Sequence, residues 1–104
     1  MEIKSNELKE KIEKGEKVII DFWAGFCGPC KIMKPYFENV SKQLIDENSD
    51  VQLYTFDVDS DREFVATLGI RSVPTIKGFA NGVEVFSEVG LKQKNAILEL
   101  TKKL

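Results

Sequence analysis

The chain of 104 residues contains no histidine and only two cysteines, Cys27 and Cys30. A tetrahedral zinc site needs about four ligands, and no histidine or further cysteine exists to complete one beside this pair. Two cysteines are also too few for the disulfide framework of small secreted proteins. The pair therefore indicates catalytic thiol chemistry. Two inert buried thiols, or a metal shared between two copies of the chain, are the alternatives.

No apolar run approaches the roughly 18 residues that a membrane-spanning helix needs. No cluster of basic residues offers a surface for nucleic acid. The first residues, Met1–Lys4, lack the basic and then apolar pattern of a secretory signal. We therefore expect no membrane association, no nucleic-acid partner and a cytoplasmic location.

The composition that remains is ordinary for a globular protein. Hydrophobic residues make up 42% and charged residues 31%, and 15 basic against 17 acidic residues give a net charge of −2. This length supports one modest hydrophobic core. We therefore predict a single domain over residues 1–104.

Apolar spacing predicts elements in the order helix, strand, helix, strand, helix, hairpin, helix. Asn81-Gly82 separates two strand patterns at 75–80 and 83–89, which is the strongest short signal for a hairpin. Strands joined through helices are expected to be parallel and central, and the hairpin to add an antiparallel edge. The order predicts an α/β fold with a mixed sheet.

Two smaller features make local predictions. Ser60 to Glu63 fits a capping box that opens a short helix. Gly78 interrupts the first strand of the hairpin and predicts a local weakness or a β-bulge there.

The two cysteines lie where a predicted strand meets a predicted helix. Val18–Trp23 is short, apolar and rich in β-branched and aromatic residues, which indicates a buried strand. Pro29 sets a backbone angle that suits the first turn of a helix. Unpaired N–H groups and the positive end of the helix dipole favour an anion at this point. A thiolate is the anion that the sequence offers, and thiolates carry out disulfide exchange.

The chain resembles the thioredoxin family over roughly its whole length. A Cys-X-X-Cys motif alone is weak support because zinc sites share it, but here further motifs accompany it. The matching segments are Asp21-Phe22-Trp23-Ala24, Cys27-Gly28-Pro29-Cys30-Lys31, Pro35, Gly69-Ile70-Arg71, Val73-Pro74-Thr75, Asn81-Gly82 and Val89-Gly90. The resemblance implies the thioredoxin fold, a central mixed β-sheet of four to five strands with helices on both faces.

The resemblance implies a protein disulfide reductase that works by reversible exchange between a dithiol and a Cys27–Cys30 disulfide. Cys27, at the outer end of the turn, is expected to attack the substrate, and Cys30 to resolve the mixed disulfide. Related oxidases and isomerases carry a histidine between their cysteines, so the lack of histidine favours a reductant. The resemblance implies disulfide-containing client proteins, an NADPH- or ferredoxin-linked thioredoxin reductase, no bound cofactor and a monomer.

Asp21 is a carboxyl group in an otherwise apolar strand, where an unpaired charge is costly. A solvated acid at the end of a strand is the simpler interpretation. The resemblance implies instead a buried acid that accepts the proton of Cys30, with a pKa raised by burial. Family members often place a lysine on the neighbouring strand where this chain has Thr55, so we expect an even higher pKa for Asp21 than is usual in the family.

The resemblance also implies a substrate-binding surface around the dithiol. A cis peptide before Pro74 would turn the backbone of Val73 outward, to pair with an extended substrate chain. Phe26 replaces the tryptophan that is common in the family, which keeps an apolar rim but loses an indole N–H. The expected surface comprises Trp23, Phe26, Gly28, Pro29, Val73, Pro74 and Gly90. A proline that begins a strand and a glycine that ends one remain the simpler interpretations of Pro74 and Gly90.

A different class of function also fits the sequence. The same fold can serve as a redox-independent binding subunit of a larger complex, such as a polymerase or assembly partner, and the sequence does not separate this role from that of a reductase.

Overall fold

The computed structural model describes residues 1–104, and its elements follow the predicted order. A 3₁₀ turn at Val58–Ser60 precedes the third helix. The helices are α1 (Ser5–Glu13), α2 (Gly28–Asp46), α3 (Arg62–Thr67) and α4 (Lys94–Thr101). The strands are β1 (Val18–Trp23), β2 (Gln52–Asp57), β3 (Thr75–Ala80) and β4 (Val83–Val89).

The four strands form one mixed sheet in the order β2-β1-β3-β4. β1 and β2 are parallel, while β1–β3 and β3–β4 are antiparallel. Glu2 adds an isolated parallel bridge to Thr55, outside β2. The prediction of four to five strands is confirmed. The expectation that both parallel strands are central is wrong for β2, because β3 of the hairpin takes the interior position beside β1.

Helices cover both faces of the sheet, as predicted, because β1 is apolar on both faces. Ile19 points into a cluster with side chains of α2 and α4, and Ile20 points into a second cluster with side chains of α1 and α3. In α2, apolar residues at helical spacing form the buried side that packs on the first face: Met33, Phe37, Val40 and Leu44. This packing fixes the start of α2, where the cysteines lie, against the end of β1.

The short helix α3 begins differently from the prediction. Asp61, and not Ser60, is its cap, since Asp61 Oδ1 accepts a hydrogen bond from the amide of Phe64 at 3.0 Å. The Ser60 hydroxyl donates instead to the carbonyl of Asp57 at 2.6 Å, within the 3₁₀ turn. Both residues are suitable caps, and the preceding turn decides between them.

Gly78 lies at the predicted bulge in the hairpin. Gly78 pairs with Phe86 and Phe79 pairs with Glu84, so Val85 has no partner on β3. The extra residue places Glu84 on the same face as Lys77, whose buried ammonium donates to the Glu84 carboxylate. The interpretation of Gly78 as a weakness needs correction, because the ring of Phe86 occupies the space that a side chain at Gly78 would take.

We expect Gly78→Ala to destabilise the protein by about 1–3 kcal/mol, because the new methyl group overlaps a packed ring and forces it to move. The Cβ position lies 2.6 Å from Phe86 Cζ. Urea unfolding measures the change, with Gly25→Ala as the control, since its Cβ meets no atom within 4 Å. Adding Phe86→Leu to Gly78→Ala should recover part of the loss. Equal stabilities of the two alanine variants would contradict the role given to Phe86.

Candidate active site

The cysteines lie at the junction of β1 and α2, as the sequence predicts. Cys27 is the N-cap of α2, and its Sγ accepts a hydrogen bond from the Cys30 amide at 3.1 Å. Pro29 occupies the first turn, where its missing N–H costs no helical hydrogen bond. The two cysteines form a disulfide with their Cα atoms 5.2 Å apart. The helix start therefore directs an amide at the sulfur of Cys27, the arrangement that favours a thiolate once the disulfide is reduced.

The surface around the disulfide is open, although the cysteines themselves are nearly buried. Cys27 is 9% exposed and Cys30 is 4% exposed. The expectation that Cys27 is the more accessible cysteine holds only by this small margin in the disulfide form. Gly28 and Pro29 between them are exposed, and the Phe26 side chain is fully exposed. A partner that approaches Cys27 meets these small residues and one free aromatic ring.

Pro74 and Gly90 lie at the same end of the sheet as the cysteines. The Val73–Pro74 peptide is cis, as the resemblance implied. Phe22 pairs with Thr75, so Pro74, the residue before β3, lies near the end of β1. Gly90 follows β4 with φ +99° and donates its amide to the carbonyl of Pro74 at 2.9 Å. The positive φ is one that glycine adopts readily.

Asp21 is buried below the disulfide and is not a solvated acid. Asp21 is 1% exposed, and its Oδ1 is the one buried side-chain polar atom without a hydrogen-bond partner. The pKa of Asp21 is raised to about 7, mainly by burial and to a smaller extent by the negative charge of Glu2. The raised pKa agrees with the expectation from burial. The expectation that the pKa of Asp21 is higher than is usual in the family stays a prediction.

A cavity of about 620 Å³ connects Asp21 with Cys30. Its wall combines backbone of the turn with polar side chains from β1, β2, α2 and the amino-terminal segment. The lining residues are Met1, Glu2, Asp21, Trp23, Ala24, Gly25, Cys30, Lys31, Lys34, Glu38, Thr55 and Asp57. A carboxyl group and the inner cysteine thus share one space, into which a proton can pass from the thiol.

Glu2 is the residue of the site that sequence reasoning missed. Its carboxylate accepts hydrogen bonds from Trp23 Nε1 at 3.0 Å, from the Thr55 hydroxyl at 2.6 Å and from the Asp57 amide at 2.8 Å. These partners are 21, 53 and 55 residues away along the chain. No local pattern signals such contacts, because they depend on how the first residues pair with β2.

The structure contains no group of three or more histidine, cysteine, aspartate or glutamate side chains arranged to hold a metal ion.

None of the helices combines the length and the apolar character that crossing a membrane requires.

Comparisons with known proteins agree with this geometry. The thioredoxin family model matches residues 1–103. The chain is 41% identical to a thioredoxin of Mycoplasma genitalium over 95% of this chain and 94% of the relative. It is 38% identical to a thioredoxin of Rickettsia felis over 91% and 88%. Among solved structures, a thioredoxin of Plasmodium falciparum superimposes with a TM-score of 0.83 at 33% identity, covering 95% of this chain and 92% of the other. The chain therefore belongs to the thioredoxin family of protein disulfide oxidoreductases, with Cys27 and Cys30 as the pair that exchanges dithiol for disulfide.

Proposed function

We propose that this protein reduces disulfides of client proteins, with Cys27 as the nucleophile, Cys30 as the resolving thiol and Asp21 as the proton acceptor. The Cys27 thiolate attacks one client sulfur, the client S–S bond breaks, and a client thiolate leaves. Cys30 then loses its proton to Asp21, attacks Cys27 Sγ and releases the second client thiolate. Two electrons pass to the client, and the Cys27–Cys30 disulfide remains.

The observation that carries this proposal is the hydrogen bond from the Cys30 amide to Cys27 Sγ. A backbone donor at a helix start stabilises negative charge on the acceptor atom, which lowers the pKa of a thiol there. Thioredoxins are the standard example of this effect in a Cys-X-X-Cys motif. Cys30 lies one turn inside the helix and opens towards the cavity that it shares with Asp21.

The client surface that we propose surrounds the exposed turn. Phe26 supplies an apolar contact, and Gly28 and Pro29 leave room for a backbone to approach Cys27. The backbone of Val73, before the cis peptide to Pro74, pairs with an extended client segment in the manner of an added strand. Two more residues complete the surface, Trp23 below the turn and Gly90 beside Pro74.

The remaining parts of the proposal concern partners and place. A separate thioredoxin reductase, linked to NADPH or ferredoxin, returns the disulfide to the dithiol, and the cysteines need no bound cofactor. We propose that residues 1–104 act as a single domain and as a monomer in the cytoplasm. The support for one domain is the single sheet that carries both hydrophobic clusters.

Alkylation of the reduced protein tests the order of the two thiols. At neutral pH we expect iodoacetamide to modify Cys27 at least about tenfold faster than Cys30, because thiolates react and the helix start favours the Cys27 thiolate. Peptide mapping by mass spectrometry at early times gives both rates. The same chain in concentrated guanidinium chloride is the control and should show similar rates at both cysteines. Faster modification of Cys30, or equal rates in the folded protein, would overturn the assignment.

A further inference from the structure

The amino-terminal segment holds a second carboxylate beside the buried acid of the site. Ile3 donates its amide to the carbonyl of Thr55 at 2.9 Å, and the Thr55 amide donates to the carbonyl of Met1 at 2.9 Å. The Ile3 side chain is buried in the cluster with α1 and α3. These contacts fix Glu2 between two anchored residues, and three further hydrogen bonds hold its carboxylate. Its position is therefore built into the fold.

Glu2, Thr55 and Asp21 form one row across the sheet. Glu2 pairs with Thr55, and Thr55 pairs with Asp21 on the next strand. Paired residues of neighbouring strands point to the same face, and all three residues line the cavity with Cys30. The Thr55 hydroxyl donates to Glu2 and not to Asp21. Asp21 thus faces a negative charge and receives no hydrogen bond from the one hydroxyl in its row.

We propose that Glu2 is a positioning residue of the dithiol site, which makes Asp21 a stronger proton acceptor by adding negative charge to the shared cavity and by occupying the Thr55 hydroxyl. This inference deepens the proposed function and rests on it for the role of Asp21 in proton transfer. The amino-terminal segment would then affect proton transfer at the dithiol site, in addition to pairing with β2 at the edge of the sheet. The charge contribution of Glu2 to the raised pKa of Asp21 points the same way.

The other charged groups around the cavity are held less firmly. Lys31, Lys34 and Glu38 reach it from α2, are exposed and make no side-chain hydrogen bond or ion pair. Met1 also lines it, and Asp57 Oδ1 accepts a hydrogen bond from the Asp59 amide. On the other side of Asp21, β3 contributes the apolar Ile76. Glu2 is therefore the charge that the protein itself fixes in place near Asp21.

The size of the effect follows from the geometry of the row. Two strand spacings separate Glu2 from Asp21 across the sheet, on the order of 10 Å. A unit charge at that distance, in a partly buried site, changes the proton affinity of a carboxyl group by about tenfold. Losing the charge of Glu2 should therefore lower the measured pKa of Asp21 by about 1 pH unit.

The test is an NMR titration of the Asp21 carboxyl carbon in the disulfide form, in which neither cysteine titrates. Glu2→Gln removes the charge and keeps one oxygen that can accept the hydrogen bonds from Trp23 Nε1 and the Thr55 hydroxyl, although its amide nitrogen cannot accept the third from the Asp57 amide. We expect the Asp21 pKa to fall in this variant. Glu2→Asp keeps the charge and should leave the Asp21 pKa above its value in Glu2→Gln. Glu38→Gln removes a carboxylate from the same cavity and is the matched control, with a much smaller change expected. Glu2→Gln and Glu2→Asp with equal Asp21 pKa values, or Glu2→Gln with the wild-type value, would overturn the proposal.

A second measurement separates this inference from the proposed function. In the reduction of a client disulfide, the midpoint of the pH–rate profile in Glu2→Gln should move down together with the Asp21 pKa. If the titration responds to Glu2 but the rate profile does not, the effect of Glu2 stands, and the proton-accepting role of Asp21 is what fails. If the titration does not respond, the inference about Glu2 fails, whatever the rates show.

Discussion

Replacing Cys27 by serine is expected to slow the dithiothreitol-driven reduction of insulin to its uncatalysed rate. A serine hydroxyl is not ionised near neutral pH and cannot form the mixed disulfide, so the first step is lost. Cys30→Ser keeps the attacking thiolate but removes the thiol that releases it. This variant should accumulate covalent adducts with client proteins, whereas Cys27→Ser should accumulate none.

Non-reducing gels and mass spectrometry of the adducts measure both outcomes. The reverse pattern, with adducts on Cys27→Ser alone, would show that the two roles are exchanged.

A double variant with both serines also addresses the redox-independent alternative. Nothing in the structure favours that role, and we expect the double variant to lose the biological effect of the protein. An effect that survived in full would identify a binding subunit.

The second large effect is expected at Asp21. The pKa of Asp21 is about 7 in the folded protein and about 3.9 in an unfolded chain. Between these values the folded protein keeps a proton that the unfolded chain has lost, so stability falls as pH rises and levels off above pH 7. The contribution of the protonated acid is fully present below about pH 4, and the total loss by pH 8 is on the order of 4 kcal/mol.

Asp21→Asn removes this titration and should therefore become more stable than the wild type as pH rises. The difference in unfolding free energy between the two proteins should grow by several kcal/mol from about pH 4 to pH 8. Urea unfolding of the disulfide forms of both proteins across this range measures it, and titrating groups that do not interact with Asp21 cancel in the comparison. A difference that stayed constant with pH would show that burial does not raise the pKa of Asp21.

Activity should change in the opposite direction from stability. Asparagine cannot accept the proton of Cys30, and a positioned general base typically contributes about 10²–10⁴-fold. We expect the release of client from the mixed disulfide to slow by roughly 100-fold at neutral pH in Asp21→Asn, while the attack by Cys27 changes less. Higher stability together with lower activity in this variant is the result expected if the Asp21 carboxyl group is retained for function and not for stability.

Short-range patterns of the sequence predicted the elements that carry the site. The apolar run Val18–Trp23, the Pro29 turn and the Asn81-Gly82 hairpin each form from residues within a few positions of one another, and the structure confirms all three. The capping box at Ser60 shows where such patterns fail. Ser60 and Asp61 are both competent caps, and the 3₁₀ turn before α3, which the sequence did not indicate, gives the role to Asp61.

The sequence by itself determined the pair of cysteines, their place between a strand and a helix, and the family with its exchange chemistry. Tertiary structure alone decided the surroundings of that pair, because they depend on the register between strands far apart in the chain. Register brings Glu2 over Thr55 and Asp21, and the bulge at Val85 brings Glu84 to Lys77. A shift by one residue would turn each of these side chains to the opposite face of the sheet. The dithiol is thus a property of neighbouring residues, whereas the electrostatic setting of Asp21 is a property of the assembled sheet.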